Sequence, residues 1–125
     1  MTVRAIRGAT TLTSDNAEEM GAAVVELLEA MISANALDLA EIASIIFTST
    51  PDIHSQFPAT AARFLKPEIL GNVPLLCAQE MDVPGALPFT IRTLIHVNTE
   101  LNQSEMKHQY LRGAVALRPD RKSVV

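Results

Sequence analysis

Residues 74–92 read PLLCAQEMDVPGALPFTIR, and the organisation of the chain turns on this stretch. It starts as an apolar strand, with Val73, Leu75 and Cys77 on one face by the two-residue period and Leu76 and Ala78 on the other. Polar residues then interrupt it: Gln79, Glu80 and Asp82 precede a Val-Pro-Gly turn, and the chain returns through Ile91 and Arg92 into a second strand. A carboxylate at one strand end and a guanidinium at the start of the next are costly to bury unless each meets a partner. Glu80 and Arg92 are therefore expected to face a small polar ligand. Cys77 and Glu80 have opposite parity. Either the strand breaks at Gln79, or the two residues serve sites on opposite sides of it, as at a subunit interface. Pro74 has no N–H to give a ladder, which puts it at a strand start or the strand at a sheet edge.

Working outward, Arg92 to Asn98 continues as a strand. Upstream, Ala43 to Thr48 (ASIIFT) is a nearly continuous apolar run of the kind buried on both faces, closed by the turn signal Ser49-Thr50-Pro51-Asp52. Phe57-Pro58 begins a helix, with Pro58 suited to its first position; Ala59 to Leu65 continue it until Lys66-Pro67. Thr2 to Leu12 is rich in β-branched and small residues and predicts a first strand. Arg4 and Arg7 point to opposite faces of it, one of them beside Val3, Ala5 and Ala9. Ser14-Asp15-Asn16 supplies helix caps, and Met20, Val24, Leu27, Leu28 and Met31 recur at helical spacing to near Asn35. Asp38 to Glu41 predicts a single helical turn and Asn102 to Lys107 a short helix or turn. Tyr110 to Arg118 (YLRGAVALR) predicts a last strand, stopped by Pro119-Asp120, with 120–125 a loose tail.

The whole is expected to be one domain over residues 1–125, since this length supports one core but not comfortably two. No apolar run is long enough to cross a bilayer, and MTVRAIRG lacks the apolar centre of a signal peptide. One cysteine excludes an internal disulfide and fits the reducing cytoplasm. A net charge of −4 argues against nucleic acid as partner, so an anionic ligand would have to be drawn in by local arginines.

No glycine-rich phosphate loop or nucleophile elbow is present, and His54, His96 and His108 lack metal-ligand spacing with one another or with Cys77. What remains is Arg7, Arg63, Arg92 and Arg118, a carboxylate (Glu80), a thiol (Cys77) and a phenol (Tyr110). Arginine does not readily release a proton, so it acts as an electrostatic clamp. Such a set suits binding a compact dianion and stabilising charge that moves within it.

IRGATT at 6–11, TPDIHSQFPATAAR at 50–63, CAQEMDVPGALP at 77–88, IR at 91–92 and HQYLRGAVALRPD at 108–120 together carry a resemblance. Over nearly its whole length the chain resembles the monofunctional chorismate mutases of the small, trimeric type. The resemblance implies an α+β domain with a mixed β-sheet packed by helices, and a barrel-like homotrimer with sites between adjacent subunits. It implies an intramolecular Claisen rearrangement of chorismate to prephenate in phenylalanine and tyrosine biosynthesis, with no cofactor and no covalent intermediate; the histidine spacing separately argues against a metal.

By the same resemblance, Arg92 would donate to the ether oxygen and to a substrate carboxylate that Arg7 and Tyr110 also hold. Glu80 and Cys77 would bind the ring hydroxyl. Phe57 would pack on the substrate, Leu117 would form an apolar wall, and Arg63 and Arg118 would sit near the entrance and the second carboxylate. Thr60 and Leu76 depart from the lysine and threonine frequent in that family, which implies a less electropositive rim. Two other readings keep the architecture but change the role: a trimeric enamine/imine deaminase, and a catalytically silent metabolite-binding module.

Overall fold

A five-stranded sheet in the order β3-β2-β4-β1-β5 forms the centre of the computed structural model, which describes residues 1–63 and 71–117. Its strands are β1 (Thr2–Thr11), β2 (Ile42–Ser49), β3 (Leu75–Gln79), β4 (Thr90–Thr99) and β5 (Gln109–Tyr110). The helices are α1 (Ala17–Ala34) and α2 (Pro58–Arg63). β4 runs antiparallel to both β1 and β2, whereas β2–β3 and β1–β5 are parallel pairs, so the sheet is mixed and the fold α+β.

α1 starts where the sequence places caps. The Asn16 side chain accepts from the Glu19 N–H at 2.8 Å, and Glu19 reaches back to the Thr13 N–H at 2.9 Å. Met20, Val24, Leu27, Leu28 and Met31 make its buried stripe. They lie on the sheet face formed by Ile6, Ile45, Phe47, Ile91 and Ile95, all essentially inaccessible to solvent. Gly8 lets the helix come this close, because a Cβ there would run into the Met31 thioether.

The opposite sheet face follows from the register. Ala9, Arg92, Thr48 and Ala78 form one row across β1, β4, β2 and β3, and Arg7, Leu94, Ile46 and Leu76 align in the next. Among the described residues, no α-helix covers this face: Leu76 is 61% exposed and Ile46 and Leu94 are only partly buried. The expectation that ASIIFT is buried on both faces is therefore corrected within one chain. Ile45 and Phe47 are buried, whereas Ile46 and Thr48 are half-buried, because both helices pack on the same side.

A second correction concerns Tyr110 to Arg118. Pairing to β1 lasts for Gln109–Tyr110 and one further bond from the Leu111 N–H to the Ala9 carbonyl, 2.9 Å. Arg112 then takes a left-handed φ of 53°, and residues Arg112–Leu117 form a 3-10 helix rather than a strand. Ion pairs to α1 favour that turn: the Arg112 guanidinium meets Glu26 at 3.1 Å and Glu19 at 3.7 Å. The Thr11 hydroxyl also accepts the Gly113 N–H at 3.0 Å. The expected helix end at Lys66-Pro67, the Arg118 side chain and the tail lie outside the described residues.

Candidate active site

Arg92 is positioned by the way β4 begins. The Thr90 N–H donates to the Thr50 hydroxyl at 3.0 Å, and the Phe89 N–H to the Asp52 carboxylate at 2.9 Å. The Thr-Pro-Asp turn after β2 thus pins the start of β4 two residues before the arginine. Glu80 lies just past β3, where its N–H still bonds the Ser49 carbonyl at 2.9 Å, so the alternation of faces continues through it. It therefore shares with Arg92 the face that no α-helix covers among the described residues, and Cys77, packed against the core, turns the other way. β3 itself ends at Gln79, but its pairing to β2 carries one bond further, to the Glu80 N–H.

Glu80 Oε1 lies 3.0 Å from Arg92 Nε, with the glutamate side chain 16% exposed and the arginine 39%. The Nε–H is not aimed along that line, so the contact is an ion pair without a made hydrogen bond, and both Arg92 Nε and Glu80 Oε2 remain unpaired. The Tyr110 hydroxyl is also buried without a partner. Arg92 and Tyr110 line a cavity of about 280 Å³ together with Arg7, Thr48, Leu94 and Leu117, and Glu80 is tied to it through its contact with Arg92. Buried donors and acceptors left unpaired cost about 1–3 kcal/mol each, so their convergence on a cavity marks a place made for a polar ligand.

Tyr110 reaches this cavity on a strap fastened at two points. The Asn35 carboxamide, at the end of α1, accepts from the Lys107 N–H at 2.7 Å and donates to the Lys107 carbonyl at 3.0 Å. One residue on, His108 Nδ1 accepts the Arg7 N–H at 3.0 Å, which requires that nitrogen to be unprotonated. Burial, and secondarily the nearby Arg7 guanidinium, holds the His108 pKa below the ordinary histidine value. The neutral ring is thus favoured in the folded state, and the stabilisation it gives is present above about pH 6.5 and lost as pH falls through the lowered folded pKa. Stability measured by urea unfolding is expected to decline from pH 7 toward pH 5, and His108→Asn to flatten that decline; an unchanged slope would contradict the assignment.

Phe57 and Cys77 line a separate cleft of about 400 Å³ with His54, Thr60 and Gln79. Its loop is held by Asp15, whose carboxylate accepts the His54 and Ser55 N–H groups at 2.9 and 3.0 Å. Burial works to raise the Asp15 pKa, but these hydrogen bonds outweigh it and the net shift is downward. Phe57 itself is 71% exposed. Arg63 is exposed in the last turn of α2 and lines neither cavity.

Arg7, Glu80, Arg92, Tyr110 and Leu117 are therefore brought together in one chain, and Phe57 and Cys77 are not brought to them. Thr48, which lines the cavity beside Arg92, has no signature in the sequence. Only the β2–β4 register, Thr48 opposite Arg92, reveals it. Among the described residues, no three histidine, cysteine, aspartate or glutamate side chains gather as a metal ion needs.

Residues 3–121 match the family model of chorismate mutase type I. The chain belongs to that family. It is an isomerase whose substrate is chorismate. Among type I chorismate mutases it is 48% identical over 122 residues to the chorismate mutase AroH of Thermus thermophilus, covering 97% of this chain and 98% of that one. Its identity to the chorismate mutase AroH of Bacillus subtilis is 41% over 122 residues, covering 96% and 93%. A solved structure of a chorismate mutase from Clostridium thermocellum superposes with a TM-score of 0.84 at 44% identity, over 90% of this chain and 97% of that chain. The deaminase and silent-binding readings find no support among these relatives.

Proposed function

We propose that Arg92, Glu80 and Arg7 carry the rearrangement of chorismate to prephenate, with Tyr110, Leu117, Phe57, Cys77, Arg63 and Arg118 completing the substrate site. A pericyclic reaction leaves acid–base groups little to do, so the gain lies in holding the folded diaxial substrate and in favouring charge separation as the ether C–O bond breaks. The Arg92 guanidinium donates to the ether oxygen where negative charge grows, and its unpaired Nε–H supports that role. Arg7 and the Tyr110 hydroxyl hold the adjoining carboxylate. Glu80 accepts from the ring hydroxyl, and its ion pair keeps the guanidinium oriented before the substrate arrives.

The reading includes a homotrimer whose sites lie between subunits. Its carrying observation is the division of one residue set between two sides of the sheet, with the polar half unpaired on a face that no α-helix covers among the described residues. A neighbouring copy presenting Phe57 and Cys77 at the arginine-lined cavity would complete the set and cover the exposed Leu76. The single cysteine of the chain suits work in the reducing cytoplasm. Loss of chorismate absorbance on adding purified protein, run beside mass measurement by light scattering, tests the whole reading. Full turnover by a monomer would refute the shared site, and binding without turnover would refute the catalytic roles.

Thr60 lines the Phe57 cleft, where a cation would add to substrate capture. Thr60→Lys is expected to lower KM about threefold at low ionic strength, with the gain fading as salt screens it. Initial rates across a salt series measure this.

A further inference from the structure

The Glu80–Arg92 pair is not a contact between neighbouring strands. β3 and β4 flank β2, so their backbones are separated by two strand spacings, about 9.5 Å. Glu80 therefore reaches over β2 to meet the guanidinium. Opposite Arg92 on β2 is Thr48, whose partner on β3 is Ala78, two residues before Glu80. Ala78 is small and leaves the space above β2 open. Thr48 lines the Arg92 cavity, and its hydroxyl is buried without a partner. Glu80 Oε2 is likewise buried and unpaired, although Glu80 does not line that cavity. Two further orphaned hydroxyls, Thr10 and Thr93, belong to the helix-covered face and are separate from this cluster.

We propose that Thr48 is a positioning residue for the ion pair: with substrate bound, its hydroxyl donates to Glu80 Oε2. One carboxylate oxygen would then face Arg92 and the other would be held from below, which fixes the carboxylate plane and, through it, the direction of the guanidinium N–H groups. A donor without an acceptor and an acceptor without a donor, both buried beside one charged pair, are costly apart and favourable together. The inference rests on the reading that Arg92 acts at the ether oxygen.

Thr48→Val keeps the branched shape and removes the hydroxyl; Thr48→Ser keeps the hydroxyl. Thr48→Val is expected to lower kcat about tenfold with KM within about twofold, as for one charge-assisted hydrogen bond. Thr48→Ser should stay within about threefold of the parent, and in a Glu80→Gln background Thr48→Val should add less than about threefold. Circular dichroism melting establishes that each variant is folded. The proposal is overturned if folded Thr48→Val retains kcat, if serine is as damaging as valine, or if the Thr48→Val and Glu80→Gln effects simply multiply. Arg92→Lys in the same assay separates the two levels: full activity there removes the site reading itself, whereas a large Arg92→Lys loss with a harmless Thr48→Val removes only the role of Thr48.

Discussion

Arg92→Lys is expected to lower kcat by about a hundredfold while KM moves less than about threefold. Lysine keeps the positive charge and can still sit near Glu80. It loses the planar fork, and with it the Nε–H that makes no hydrogen bond in the free site. The ether oxygen is only weakly charged in the ground state and becomes electron-rich as the C–O bond opens. A donor aimed at it therefore acts chiefly on the transition state, which is why the loss falls on kcat. An oxyanion donor of this kind contributes about 2.7–4 kcal/mol. Steady-state rates from chorismate absorbance, with a melting curve to establish folding, make the measurement. A fall of less than tenfold would end the assignment of Arg92 to the ether oxygen.

The second large effect is expected far from the cavity, at Asn35. Its carboxamide donates to the Met31 carbonyl at 2.9 Å and bonds both the N–H and the carbonyl of Lys107, and the residue is only 9% exposed. Asn35→Ala leaves the Lys107 N–H and carbonyl without those partners, at a cost of about 2–4 kcal/mol. Against a total stability of about 5–15 kcal/mol that is severe, and the melting temperature should fall by about 8–15 °C. KM should rise as well, since the strap that carries Tyr110 to the cavity is fastened there. Asn35→Asp, nearly identical in shape, keeps the acceptor but sets a carboxylate oxygen against two carbonyls. It should be no better than alanine at neutral pH. An aspartate variant with parental melting temperature and KM would show that the strap is held by other contacts.

Residues that act through local rules were legible in the chain. Asn16 caps α1 and Pro58 opens α2, because capping and ring geometry depend on a few adjacent residues. Pro74 precedes an edge strand, because a missing N–H is intolerable inside a ladder. The charged pair Glu80 and Arg92 stood out because carboxylate and guanidinium at strand ends need partners, and they are each other's. The last segment of the sheet does not follow its local composition. YLRGAVALR has strand-like composition, but Arg112 forms ion pairs with Glu19 and Glu26, residues remote in sequence, and the chain turns away into a 3-10 helix.

By itself, then, the order of residues determined most of the elements, the opposite parity of Cys77 and Glu80, and the family motifs from IRGATT to HQYLRGAVALRPD. Those features follow from backbone periodicity and from short-range chemistry. Only the tertiary structure decided that Glu80 spans β2 to reach Arg92, that Thr48 stands opposite Arg92, and that Asn35 holds the Tyr110 strap. Each depends on strand order and register, which are set by packing across the whole sheet and leave no mark at the positions concerned.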